Sequence, residues 1–196
     1  VIDAIRTPLL IAISVAWFSF TSASSAFAEP SLDPTCSVIN EAYRNTRSTP
    51  QYSQVLYEVR PDGQQLAFLE ARFSGSVLYE RYAGKGEKWS KPTTVDWRLA
   101  DSNGPKFSAC KLVTRPTKDV TWGSYYTAVW IGGWFKADAE IWLTGDGLRF
   151  QKLQRRFRGE GQFKFQVAME TFNYDAVQPG APTDDQVDQS KTAFPH

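Results

Sequence analysis

From Gln54 to Tyr174 the chain is built of short runs in which apolar and polar residues alternate, and nearly every run stops at a turn rich in glycine or proline. A period of two is the signature of strands with one buried face. Val55, Tyr57 and Val59 alternate with Gln54, Glu58 and Arg60. Pro61-Asp62-Gly63 then turns the chain into Leu66 to Phe73, where Ala67, Leu69, Ala71 and Phe73 share a face. Ser74-Gly75-Ser76 leads into Val77 to Tyr82, which completes a three-stranded meander before the loop at Gly84-Lys85-Gly86. Thr93 to Ala100 carries a partial capping pattern and predicts a short helix or turn that ends at Asn103-Gly104-Pro105. Five further runs are predicted as strands: Lys106 to Thr114, Tyr125 to Phe135, Ala139 to Thr144, Leu148 to Arg158 and Gln162 to Tyr174. Gly132-Gly133 marks a bulge or close approach within the second of these. In the last, Phe163, Phe165, Val167 and Met169 are expected to point inward, with Lys164, Gln166 and Glu170 outward.

One segment has the helical period instead. Cys36, Ile39, Asn40 and Tyr43 fall at i, i+3, i+4 and i+7, Asp33 and Pro34 supply an N-cap and a first-turn proline, and Ser48-Thr49-Pro50 stops the helix. Seven or eight strands with a single helix exclude a doubly wound α/β fold, which needs a helix between successive strands. The expected fold is mainly β (α+β): a curved antiparallel half-barrel of 7–8 strands with an N-terminal helix across its concavity. No internal repeat is visible. Of the 196 residues, 29–177 are expected to form this domain and 178–196, poor in apolar residues, a disordered tail.

The first residues read as an address. An apolar run from Leu9 to Phe18 follows Arg6, and Ala26-Phe27-Ala28 has the small-x-small form of a signal-peptidase site, so 1–28 is expected to be a signal peptide cut after Ala28. Export to the periplasm follows, with no transmembrane segment left in the mature chain. In that oxidising compartment the two cysteines, Cys36 and Cys110, are expected to form one structural disulfide.

Lys and Arg number 22 against 21 acids, a balance that gives nucleic acid no electrostatic hold. The single histidine is the terminal His196, which removes the usual triad, the commonest general base and the zinc sites that need histidine. Asp138 and Glu140 share a strand face, yet nothing in their setting marks a glycosidase pair. The glycine-rich turns lack phosphate-loop spacing. The chain therefore reads as a non-enzymatic protein without cofactor or metal.

Two constellations remain. Trp122, Tyr125, Tyr126, Trp130, Trp134 and Trp142 crowd one stretch, and Trp130, Trp142, Tyr126, Phe163 and Phe165 are the candidates to line an aromatic concavity. Lys152, Arg156, Arg158 and Lys164 form a candidate basic face suited to lipid headgroups or an acidic partner.

The helix from Cys36 to Pro50, the middle Cys110, Ala139-Glu140-Ile141-Trp142-Leu143 running into Gly147-Leu148, and the closing Phe172-Asn173-Tyr174-Asp175-Ala176-Val177 resemble uncharacterised exported proteobacterial proteins. These are similar in layout to the outer-membrane lipoprotein carrier superfamily. The resemblance spans roughly 36–177 and implies a half-barrel packed on helices with an apolar concavity for acyl chains. The expected function is a periplasmic binding protein for a lipid or lipoprotein acyl chain. The alternative is an envelope protein-interaction module that uses a sheet edge or the basic face.

Overall fold

The structure, a computed structural model, describes residues 32–84, 86–95, 105–114, 123–159, 163–175 and 181–193. The predicted signal peptide and its cleavage site, Trp97, Trp122 and most of the predicted helix or turn after Thr94 lie outside those residues.

Asp33 caps a 3-10 turn, Pro34–Cys36, by accepting from the Thr35 N–H, and helix α1, Ser37–Ser48, follows directly. Its buried stripe is Ile39, Ala42, Tyr43 and Thr46, with Asn40 beside them. Thr49 is already extended, as a residue before proline must be.

The main sheet has nine strands, all antiparallel. They are β1 (Gln51–Val59), β2 (Gln65–Ser74), β3 (Val77–Tyr82), β5 (Thr93–Thr94), β6 (Lys106–Leu112), β7 (Tyr125–Gly132), β8 (Phe135–Leu143), β9 (Phe150–Phe157) and β10 (Val167–Asn173). Their spatial order is β5-β3-β2-β1-β10-β9-β8-β7-β6, and the sheet is not closed. Two meanders, β1 to β3 and β6 to β10, are joined along β1 and β10, where Ser53 faces Asn173 and Glu58 faces Ala168. The eight strands read from sequence are all present. The ninth, β5, covers Thr93-Thr94, where a helix or turn was expected: these two residues pair with Val77 and Leu78.

Three other differences have physical causes. The run Tyr125 to Phe135 is broken at Gly133, whose φ of +55° makes a tight turn into β8. Gly132 is a close approach as expected: a Cβ there would lie 2.4 Å from the Trp130 ring. The expected alternation holds in burial from Phe163 to Val167, with Phe165 buried and Lys164 and Gln166 exposed, although 163–166 is not strand; it ends where β10 becomes buried on both faces, Val167 through Glu170 without a break. Glu170, expected outside, is 7% exposed and shares the inner face with Ala168 and Phe172. In β2 the pairing slips past Phe68, so Ala67 is exposed while Leu69, Ala71 and Phe73 are buried.

The tail is also more ordered than its composition implied. Thr183 and Gln186 form a capping box on a short 3-10 turn, and β11 (Val187–Asp188) pairs in parallel with β4 (Trp89–Ser90). Val187 is buried there, and the Arg72 and Arg81 guanidiniums each lie 4.4 Å from the Trp89 ring. One valine and one capping box give this segment its place, too small a signal to show in average hydropathy.

Helix α1 packs on the inner face. The Arg47 guanidinium lies 5.3 Å from the Phe73 ring of β2 and 5.2 Å from Tyr43, whose own ring is 6.1 Å from Phe107 of β6. Six strand spacings separate β2 from β6, about 29 Å in a flat sheet. Three short steps bridge them here, so the sheet bends around the helix. The Cys36–Cys110 disulfide, Cα to Cα 5.0 Å, fastens the helix N-terminus to β6.

Asp33 reinforces that junction. Its second carboxylate oxygen accepts the Ala109 N–H at 2.8 Å, and the Thr35 hydroxyl accepts the Cys110 N–H at 3.2 Å. Ala109 sits at a bulge with φ +52°, a conformation that costs a residue with a Cβ and needs holding. The hydrogen bonds that Asp33 accepts, first from the Ala109 N–H and then from the Thr35 hydroxyl and N–H, keep its carboxyl below its ordinary value. Asp33→Ala is expected to lower the melting temperature by about 2–4 °C at neutral pH. Because the folded-state pKa is depressed, the contribution is complete above the unfolded value and fades as pH falls below about 4. Thermal melts of both proteins across that range check it.

Candidate ligand-binding site

The C-terminal half of α1 is anchored on one flank and open on the other. On the anchored flank, the Thr46 hydroxyl donates to Ala42 O at 2.8 Å and accepts the Phe150 N–H at 2.9 Å. The Tyr174 hydroxyl donates to Phe150 O, and Asn45 donates to Leu148 O at 3.2 Å. Burial pushes the Tyr174 hydroxyl well above its ordinary pKa, so it stays protonated as that donor. Helix and β8–β9 turn are thereby joined, with the Thr46–Phe150 bond fully buried.

On the open flank lies a cleft of about 430 Å³ lined by Arg44, Arg47, Ser48 and Thr49 of the helix end, Tyr52 and Phe73 of the sheet, and Gly75, Ser76 and Val95 opposite. Its floor is the Tyr52–Phe73 pair, stacked with centroids 4.3 Å apart. Arg47 donates to the Tyr52 hydroxyl at 2.7 Å. Burial raises the pKa of that hydroxyl, although the guanidinium opposes the shift, so it remains neutral beside the cation. Arg44 is exposed at the mouth. Two guanidiniums and several hydroxyls thus stand beside an aromatic floor, the chemistry of a site for an anionic or polar head on an apolar body.

A second constellation lies deeper. Arg155 of β9 and Glu170 of β10 form an ion pair on the inner face, their side chains 11% and 9% exposed. The Arg155 guanidinium lies 4.5 Å from the Trp130 ring, while its Nε is buried without a hydrogen-bond partner. Burial, then the nearby Arg47, lowers its pKa to about 10.

The residues singled out from sequence are dispersed. Trp130 and Phe165 are buried in the core, with Tyr126 and Phe163 packed against it. Phe163 stacks on Phe157 with centroids 4.4 Å apart, and Phe165 meets Phe68 edge-on. These rings fill the inner face near the start of β10, away from the cleft. Trp142 is on the other face, stacked on Tyr125 with Lys152 3.9 Å above its ring. Partial burial lowers the Lys152 pKa. Arg156 and Arg158 share that outer face with Lys152; Arg158 pairs with Asp138, and that hydrogen bond holds the Asp138 carboxyl below its ordinary value. Lys164 stands apart from them, 4.2 Å from the Phe68 ring. Glu140, paired in register with Gln154, is on the outer face with Asp138.

Sequence reasoning missed Arg44, Arg47, Tyr52 and Phe73. The i, i+4 pair Tyr43–Arg47 and the aromatic two residues after Pro50 were the available signals, but they acquire meaning only once β1 and β2 lie against the helix end. Among the described residues no three His, Cys, Asp or Glu side chains are grouped to hold a metal, and no helix is long and apolar enough to cross a membrane. The fold and cleft define an open antiparallel sheet bent around one disulfide-fastened helix. Comparison with protein-family models, curated proteins and solved structures finds no match to this chain.

Proposed function

We propose that this is an exported, non-enzymatic protein that binds an amphiphile, a lipid or acyl chain with an anionic head, between helix α1 and the β1–β3 side of the sheet. In this reading the bent sheet is a half-barrel of the kind used by the lipoprotein carriers, and residues 1–28 direct the chain to the periplasm. The observation that carries the proposal is the pairing, in one cleft, of Arg44 and Arg47 with the stacked Tyr52 and Phe73. The head would meet the guanidiniums and the Ser48, Thr49 and Ser76 hydroxyls, while the apolar part lies on the rings.

The interaction-module reading would use the basic face or a sheet edge, of which the outer edge of β6 is the longer. That edge carries the Ala109 bulge together with Lys106 and Lys111, features that discourage strand addition. The cleft is the better supported site.

Mass spectrometry of organic extracts from protein purified without detergent is expected to find one amphiphile near stoichiometry, and Arg44→Glu to lower that occupancy about tenfold. A clean extract from the unaltered protein overturns the proposal.

A further inference from the structure

At the opposite end of the strands from the cleft, the β7–β8 turn carries Trp134, which is 96% exposed. No other large apolar side chain among the described residues is so bare: Leu112 follows at 59%. The ring is not on a loose loop. Gly132 lies beneath the Trp130 ring, Gly133 makes the turn, and Phe135 packs edge-on against Phe157 at 6.0 Å and Phe163 at 5.4 Å. Both sides of the tip are pinned to the core, so the indole is presented with little backbone freedom to lose on binding.

Around the tip positive charge predominates. Lys136 is exposed two residues on and faces Ile131, which in turn faces Lys106. The Arg158 N–H donates to Lys136 O at 2.9 Å, which brings β9 and its exposed Arg156 and Arg158 alongside. Against these four cations stands Asp138, already paired with Arg158, and Glu140 follows two residues along β8 on the same outer face. Glu160, two residues after Arg158, lies outside the described residues.

We propose that this tip docks the protein reversibly on an anionic lipid bilayer, with the Trp134 indole at the headgroup level and Lys106, Lys136, Arg156 and Arg158 against the charged surface. Indole is suited to that boundary because its body is apolar and its N–H can stay hydrated. A cationic collar complements anionic headgroups and not zwitterionic ones. One projecting ring offers far less apolar area than a stable protein interface requires, which favours a bilayer over a protein partner. The proposal does not depend on the cleft, since the two lie at opposite ends of the strands.

The test is co-sedimentation of the whole protein, as it accumulates in cells, with vesicles of mixed phosphatidylglycerol and phosphatidylcholine or of phosphatidylcholine alone. Binding is expected on the mixed vesicles and to weaken with added salt. Trp134→Ala is expected to reduce it about tenfold and Lys136→Glu about fivefold or more. Both side chains are exposed, so unchanged melting curves accompany those losses. Leu148→Ala, exposed at the other end of the strands, should bind as the unaltered protein does. Equal binding to both vesicle types, undiminished binding by Trp134→Ala, or a matching loss in Leu148→Ala overturns the proposal. Failure to bind anionic vesicles does so too, and turns attention to an acidic protein partner.

Discussion

Glu170→Gln is expected to destabilise the fold by about 3–5 kcal/mol, the largest effect of any single polar substitution in the sheet. The carboxylate is the ion-pair partner of Arg155 on the inner face, where both side chains are almost entirely removed from water. Deleting its charge leaves a guanidinium among Trp130, Phe157 and the neighbouring Arg47, with no anion to offset the lost hydration. Two further results separate this cause from general disruption. The double variant Arg155→Met, Glu170→Leu should recover most of the loss, because an apolar pair of similar volume removes both charges from the interior. The deficit of Glu170→Gln should also narrow as the solution becomes alkaline, since burial already lowers Arg155 to about 10 in the unaltered protein and loss of the carboxylate lowers it further. Below its lowered pKa the folded variant bears the cost of the buried charge; above it the variant's native state sheds the proton before the unfolded chain does, and its stability rises. Urea denaturation at several pH values measures all three. A single variant with a loss under 1 kcal/mol would mean that water reaches the pair.

Replacing Cys36 and Cys110 together by serine is expected to cost about 4.5 kcal/mol as an upper figure, since the bridge spans a sequence separation of 74 residues. Both sulfurs are buried at the meeting of helix and edge strand, where Asp33 and Thr35 hold the same two backbone segments. Without the covalent bond those hydrogen bonds alone keep α1 on β6. Reductant should reproduce the variant's melting curve in the unaltered protein. An unchanged curve in both cases would show that the junction is held by packing and hydrogen bonds.

The parts of the fold legible in the sequence are those decided by neighbours in the chain. Asp33 and Pro34 announce the helix start, Pro50 its end, and Pro61-Asp62-Gly63 and Gly145-Asp146-Gly147 the turns between strands. The pairing of two cysteines needed no geometry. What could not be read depends on which face a strand turns to whom. Glu170 alternates with lysine and glutamine in sequence and would be an outward residue on a half-exposed strand; β10 lies in the middle of the sheet and is covered on both sides, so alternation there carries no direction. Trp142 and Trp130 differ by an even number of positions, but a turn at Gly133 stands between them and places them on opposite faces. The cleft is assembled from the helix end, β1, β2, the β2–β3 turn and the residue after β5, and no local pattern contains them all.

The order of strands has a consequence for the sequence of events in folding. Cys36 and Cys110 are both present before any of β7 to β10, so a chain that oxidises as it emerges already ties its first helix to the strand that will form the far edge. The strands that follow must then be laid between two elements fixed in advance, each on the last, until β10 meets β1 and Ser53 finds Asn173. That final pairing is the most distant along the chain, and loop-closure entropy makes such contacts slow. The seam between β1 and β10 is accordingly where the protein becomes one body, and an early bridge shortens the search for it.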